Sequence, residues 1–353
     1  MMNFNRREFC KTLGLGTAGL LLNLPFSLST CQRKSRKDLA KDNELTIKVI
    51  GLGGLGTRCL DQMIQMGLKD IEFTVMNADK FSLVQSLCPS KIHLGESSTK
   101  GNGCGMNPEL GYAYTLNSQE TITTILRGSN IVFIVAGMGG GTGTGGAPVV
   151  ARIARDLGAV PIGVVTMPFS FEGKWRLRNA QEGLQKLKEA SDLIIMVPND
   201  FVINFFPPQV LLIDVLNKSI DIISSSVKNL LDFFLASASG CLYFSDVKNL
   251  FSRLGLAYAG IGSDPEKSIL RAVQTATDYP LLKDVPLSRA RKVICILRVS
   301  SQERLANVQY ASEIVVKKFP RDTDFIFHVS VDKSDRTEAV LFISGFAWEQ
   351  SVS

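Results

Sequence analysis

Residues 136 to 148 read Ala-Gly-Met-Gly-Gly-Gly-Thr-Gly-Thr-Gly-Gly-Ala-Pro, between the apolar segment Ile131 to Ala136 and the helical pattern Ala147 to Leu157. Six of the eight residues from Gly139 to Gly146 are glycine. Glycine loses more backbone freedom on ordering than any other residue, so such a run at a strand's carboxyl end costs folding entropy unless a ligand offsets it. A flexible hairpin is the competing reading, and that cost argues against it. With no side chains in the way, backbone N–H groups approach an anion closely, and the following helix N-terminus adds favourable potential. The hydroxyls of Thr142 and Thr144 add further donors. The run therefore predicts a phosphate loop, with Gly139, Gly140, Gly141, Thr142, Gly143 and Thr144 as its contacts.

The flanking pattern alternates apolar runs with helical periods. Strands are expected at Leu45 to Ile50, Ile71 to Met76, Ile131 to Ala136, Val160 to Thr166 and Leu193 to Val197, with helices at Arg58 to Met66, Ala147 to Leu157 and Lys174 to Glu189. This is the signature of a doubly wound parallel sheet. A second loop, Gly51-Leu52-Gly53-Gly54-Leu55-Gly56, follows the first strand with GxGxxG spacing, and Asp79 ends the next strand as a candidate ribose partner. Taken alone, this loop fits a dinucleotide site or a tight turn without a ligand.

From about 210 to 238, Leu211, Val215, Ile222, Ser226, Leu230 and Phe233 recur at helical spacing without proline or glycine, giving one long helix after Pro207-Pro208. Beyond it, strands are expected at Ala257 to Ile261, Val293 to Val299, Phe325 to Val331 and Ala339 to Ile343, with helices near 265–277 and 303–318. The fold class is therefore α/β, a doubly wound parallel-sheet domain joined by a long central helix to a smaller α+β domain. The boundaries are a leader at 1–44, a first domain with the central helix at 45–238, a second at 239–347, and a tail at 348–353.

At 353 residues, with 45% hydrophobic and 20% charged, the chain is too apolar to be disordered. The net charge of +6 does not mark a nucleic-acid binder, because it is local. Residues 1–41 hold eight Lys/Arg against two acids, which leaves 31 against 31 in the rest. In that leader Asn5-Arg6-Arg7-Glu8-Phe9-Cys10-Lys11 resembles a twin-arginine export signal, an uncharged stretch follows from Thr12 to Gln32, and Leu28-Ser29-Thr30-Cys31 resembles a lipobox. Against export stands Arg33-Lys34-Ser35-Arg36-Lys37, which the positive-inside bias keeps on the cytoplasmic side. Two readings stay open: an exported chain, or a cytoplasmic one whose residues 1–41 contact a membrane. Cys59, Cys88, Cys104, Cys241 and Cys295 are scattered without ligand-like spacing, which suits a reducing compartment. With His93 and His328 alone, a zinc site or a histidine-based nucleophile system lacks material, and no metal-ligating side chains are expected.

The run Gly139 to Gly145 followed by Ala147-Pro148-Val149-Val150-Ala151 resembles the signature of the tubulin/FtsZ GTPase family. The resemblance extends over roughly residues 45 to 347. Gly103-Cys104-Gly105-Met106-Asn107-Pro108-Glu109 is similar to the family's third phosphate-side loop, and Pro168-Phe169-Ser170-Phe171-Glu172-Gly173-Lys174 to its ribose-side loop. It implies GTP with Mg²⁺ as the ligand, and nucleotide contacts at Gly53, Gly54, Gly56, Thr57, Arg58 and Asn107, at Glu172 and Arg176, and at Asn199 in a base-side loop. Asp221 would stand where the family reads guanine, a carboxylate accepting from N1–H and N2–H that adenine does not offer. As isolated polar residues, these would read as caps or surface contacts.

The departures are specific. Leu55, Thr57 and Arg58 replace two glycines and an asparagine of the family's first loop, which would crowd the phosphates or let Arg58 pair with them. The family's hydrolytic loop, Asn-x-Asp-x-x-Asp, is inserted into the neighbouring subunit's site; here the segment is Cys241-Leu242-Tyr243-Phe244-Ser245-Asp246, so Asp246 alone survives as a catalytic acid or is a helix cap. The resemblance implies a cell-division GTPase that polymerises head to tail, alone or with FtsZ, and the lost acids imply attenuated hydrolysis. The alternatives are a non-hydrolysing GTP-binding filament modulator and an exported Rossmann NAD(P)-dependent oxidoreductase.

Overall fold

A computed structural model describes residues 45–68, 71–238, 244–252, 254–331 and 336–346. The chain runs β1 (Ile47–Leu52), α1 (Gly53–Gln65), β2 (Glu72–Asn77), α2 (Lys80–Gln85), β3 (Ser90–His93), α3 (Glu96–Thr99), α4 (Pro108–Asn117), α5 (Gln119–Leu126), β4 (Ile131–Gly137) and α6 (Thr142–Asp156). It continues through β5 (Val160–Met167), α7 (Lys174–Ala190), β6 (Leu193–Pro198), α8 (Asn199–Val202) and the long spine helix α9 (Leu212–Ala238). The C-terminal part is α10 (Phe244–Phe251), β7 (Gly255–Ser263), α11 (Ile269–Thr277), β8 (Lys292–Val299), α12 (Leu305–Lys317), β9 (Asp324–Val331) and β10 (Glu338–Ser344).

All ten strands lie in one sheet, in the order β3-β2-β1-β4-β5-β6-β7-β10-β8-β9. The first six follow the doubly wound order and pair in parallel, as the alternation of strands and helices demands. The smaller α+β part extends that sheet: β7 joins β6 in parallel from Leu193–Gly255 to Ile195–Ala257, and β10 inserts antiparallel between β7 and β8. That continuity is not legible in the sequence.

Because both faces are covered, the strands read as unbroken apolar runs, and the two-residue period assigns alternate side chains to opposite cores. On β4, Val132, Ile134 and Ala136 join the layer under α5, α6 and α7, while Ile131, Phe133 and Val135 join the layer under α1 and α9. The spine helix is about 40 Å long at 1.5 Å per residue. It buries Val215, Ile222, Ile223, Val227, Leu230, Leu231, Phe233 and Phe234, each contributing roughly 1.5–3 kcal/mol. Phe234 meets Phe133 of β4 at 6.2 Å between ring centroids, and Phe233 meets His328 of β9 edge-on at 5.0 Å. One helix thus rests against both parts of the sheet.

Two helices begin earlier than the sequence pattern predicts. α1 starts at Gly53 rather than Arg58, and α6 at Thr142 rather than Ala147, so each glycine loop supplies its helix's first turn. Missing side chains permit this: Gly145 and Gly146 of α6 lie against Pro108 and Thr115 of α4 with no room for a Cβ.

Candidate functional site

β1 and β4 are neighbours, and the chain moves outward from them in opposite directions, through β2 and β3 on one side and β5 and β6 on the other. Such a switch point leaves a crevice at the carboxyl ends of the strands. Both glycine loops open into it. The N-caps, Leu52 of α1 and Gly141 of α6, provide no side-chain cap, and neither helix has an acid in its first turn. The two first turns touch: Gly53, at φ +67°, has Gly143 N within 3.3 Å of where its Cβ would be. Uncapped N–H groups and two helix dipoles therefore converge without a neutralising carboxylate, an arrangement that favours a polyanion.

The glycines divide by what surrounds them. Around Gly54 and Gly140 a Cβ would meet nothing within 4 Å, so these two border open space. Gly56 is a packing glycine, its Cβ position 2.5 Å from Val135 O, and Gly143 is another, 2.6 Å from Gly137 O. Gly141 abuts Cys104 and the Asn107 backbone, which joins the third loop to the second. Gly139, at φ +97°, abuts Arg176, which joins the ribose-side helix.

The hydroxyls expected at the phosphates have protein partners. Thr57 Oγ1 donates to Gly53 O at 2.9 Å, and Thr144 Oγ1 accepts from Gly139 N at 2.8 Å, closing the loop on itself. Thr142 Oγ1 lies 3.4 Å from Cys104 Sγ, a thiol whose pKa burial raises. Asn107 caps α4 by accepting from Glu109 N at 2.9 Å. At the rim, Glu172 Oε1 accepts from Phe169 N at 2.8 Å, and its Oε2 lies 2.9 Å from Arg176 Nε, an ion pair without hydrogen-bond alignment.

Arg58 stands on the second turn of α1, which packs on α9, and its Nη2 donates to Asn217 Oδ1 at 3.2 Å. One turn further along α9, Asp221 Oδ1 accepts from Gln62 Nε2, and Gln62 Oε1 accepts from Ser224 Oγ at 3.2 Å. Asn199 is buried and accepts from Ser219 Oγ at 3.0 Å, tying the base-side loop to the same helix. Sequence reasoning missed Gln62 and Asn217, whose only signal is the four-residue step from Arg58 and to Asp221. Burial, then the charge of Asp221, pushes the Tyr279 phenol up to about 12, so it remains protonated. The backbone of Asp246 lies in α10. Cys241 and Tyr243, like the leader 1–44, lie outside the described residues.

A family model, Tubulin/FtsZ family, GTPase domain, matches residues 46–207. Among solved structures, an empty FtsZ dimer from M. jannaschii superposes with a TM-score of 0.76 at 31% identity, covering 85% of this chain and 88% of that one. The chain belongs to the tubulin/FtsZ family. A point mutant of M. jannaschii FtsZ agrees, with a TM-score of 0.78 at 30% identity over 88% of this chain and 93% of that one. CetZ2 from Haloferax volcanii, in a GTPγS-bound protofilament, shares the fold, with a TM-score of 0.71 at 20% identity over 87% and 95%.

The tubulin/FtsZ family is one of GTP-binding GTPases, and the residues present fit a guanine nucleotide. The paired helix N-termini would suit a phosphate chain, and Asp221, held by Gln62, would offer a carboxylate to a guanine base. Among the described residues no group of three His, Cys, Asp or Glu could hold a metal. A Mg²⁺ ion here would be bound largely through phosphate oxygens and water, the usual arrangement for that cation. The dinucleotide alternative is set aside by the family. Asp79, which that reading places on a ribose, caps α2 instead, accepting from Phe81 N at 3.0 Å and Ser82 Oγ at 2.6 Å.

Proposed function

We propose that this chain binds GTP with Mg²⁺ in the switch-point crevice, associates head to tail with its own kind or with an FtsZ, and hydrolyses GTP slowly. The observation that carries the binding is the meeting of two uncapped, acid-free helix N-termini at Gly53 and Gly143. In this account Gly54 and Gly140 leave room for phosphate oxygens, while Gly139, Gly141 and Gly143 hold the loop close to its neighbours. Glu172 and Arg176 border the ribose, and Asn199 braces the spine helix that carries Asp221.

Association is supported by exposed apolar side chains in segments that follow the carboxyl ends of the strands. Phe171 is 67% exposed, Trp175 71% and Leu211 66%. Such side chains gain by burial against another molecule. FtsZ from M. jannaschii as a dimer and CetZ2 as a protofilament are precedents within the fold.

Slow hydrolysis is supported by the sequence Cys241 to Asp246, where Cys241 and Tyr243 stand in place of polar and acidic groups and Asp246 is the remaining acid. Preorganised polar groups of this kind are worth roughly 3–4 kcal/mol, or about 10²–10³ in rate. The same loss favours a second reading, a GTP-binding modulator of filaments without turnover. A role in cell division and a membrane contact through residues 1–41 belong to this proposal, as does cytoplasmic residence in preference to twin-arginine export. No helix among the described residues is long and apolar enough to cross a membrane.

GTP turnover per chain over a wide range of protein concentration tests the proposal. A rate that rises with concentration and is abolished in Asp246→Ala supports a site shared between subunits. A constant rate per chain shows a site complete within one molecule.

A further inference from the structure

The faces of α1 and α9 that meet beside the crevice border an open cleft of about 440 Å³, lined by Arg58, Gln62, Asn217 and Asp221 among others. Two of these side chains carry charge of opposite sign and both are restrained. Asn217 holds Arg58 through Nη2, and the rest of the guanidinium fork has no protein partner among the described residues. Gln62, itself held by Ser224, fixes Asp221 through Oδ1, and Oδ2 has no protein partner among the described residues. Arg58 and Asp221 are both exposed, so a ligand can reach them.

Guanine is complementary to this pair. One edge presents the acceptors O6 and N7, which match a planar guanidinium fork, and the adjacent edge presents donors at N1 and N2, which match a carboxylate. Adenine fails on both counts, placing an amino donor where Arg58 also donates and offering no N1–H to Asp221. We infer that Arg58 is a base-reading residue that selects guanine through O6 and N7, with Gln62 as the positioning residue that orients Asp221 toward N1 and N2. This rests on the guanine-nucleotide reading above and goes beyond it by assigning the O6/N7 edge to a side chain that the phosphate chain does not engage.

The test is binding of GTP and of 7-deaza-GTP, whose N7 is replaced by C–H, to the full chain and to its Arg58→Ala and Arg58→Lys variants at two salt concentrations. The parent is expected to bind 7-deaza-GTP about tenfold more weakly than GTP, on the scale of one good bidentate contact. Arg58→Ala, which loses the O6 bond as well, is expected to lose more than tenfold for GTP and to bind both nucleotides equally. Arg58→Lys, whose ammonium also donates to O6 and N7, is expected to keep a preference for GTP over 7-deaza-GTP. Three results overturn the inference: a parent indifferent to N7, an Arg58→Ala variant that keeps the parent's preference, or equal losses for both nucleotides with a flatter salt dependence, which would put Arg58 on phosphate. A parent that binds neither nucleotide would remove the guanine reading itself, and this inference with it.

Discussion

Gly139 lies so close to Arg176 that a Cβ would come within 2.7 Å of Arg176 Cγ and 2.8 Å of its carbonyl oxygen. The contact sets the distance between the phosphate loop and α7, and it requires glycine twice over, because φ is +97° there. Gly139→Ala is expected to destabilise the protein by roughly 1–3 kcal/mol, the scale of a strained backbone conformation, and to displace Arg176 from Glu172. Urea unfolding midpoints measure the first effect and nucleotide affinity the second.

Gly140 supplies the contrast. Its Cβ would enter open space, so Gly140→Ala should leave the unfolding midpoint within about 0.5 kcal/mol of the parent and still weaken nucleotide binding. Gly56→Ala should do the reverse. A methyl group 2.5 Å from Val135 O must push α1 off the sheet, so stability falls first and binding follows. If Gly140→Ala unfolds as readily as Gly56→Ala, the division of the run into ligand-facing and packing glycines is wrong.

The contrast also shows what was legible in the sequence. A glycine run after an apolar strand marks the phosphate loop by composition, and periodicities of 2 and 3.6 place most strands and helices. α4 escaped because its apolar residues form no helical stripe: Gly111 packs against Gly141 O, while Leu110, Tyr112 and Leu116 stay exposed. β3 escaped because four residues at a sheet edge carry little alternation. The aim of Arg58 depends on how α1 lies against α9, a tertiary fact to which the local pattern is blind.

Asp221→Ala should reduce the preference for GTP over ATP. One charge-assisted hydrogen bond is worth about 1.5–3 kcal/mol, or roughly 10- to 150-fold in the ratio of affinities. Competition binding with the two nucleotides reads the ratio directly, and an unchanged ratio would leave Asp221 as a partner for Gln62 alone.

A pH effect is expected far from the crevice. His328 on β9 packs edge-on against Phe233, near Arg298, whose Nη2 donates to Asp232 of the spine helix at 2.9 Å and whose Nη1 pairs with Glu338. Burial, then the Arg298 charge, lowers the His328 pKa below 6.5. The unfolded chain therefore takes up a proton at a higher pH than the folded one does. The stability contribution is complete above about pH 6.5 and is lost as pH falls from there through the folded pKa. Urea midpoints at pH 7.5 and 5.5 should show a drop in the parent that shrinks in His328→Phe. Equal drops in both would assign the effect to other groups.

The identity of the bound nucleotide tests the central claim most directly. The purified chain, denatured after gel filtration, releases whatever the crevice holds, and chromatography identifies it. GTP or GDP at close to one per chain is the expected result, because uncapped helix N-termini at Gly53 and Thr142 favour the phosphates and Asp221 favours guanine. Adenine nucleotide, NAD or NADP in that fraction, or an emptied chain that then takes up ATP as well as it takes up GTP, would contradict it.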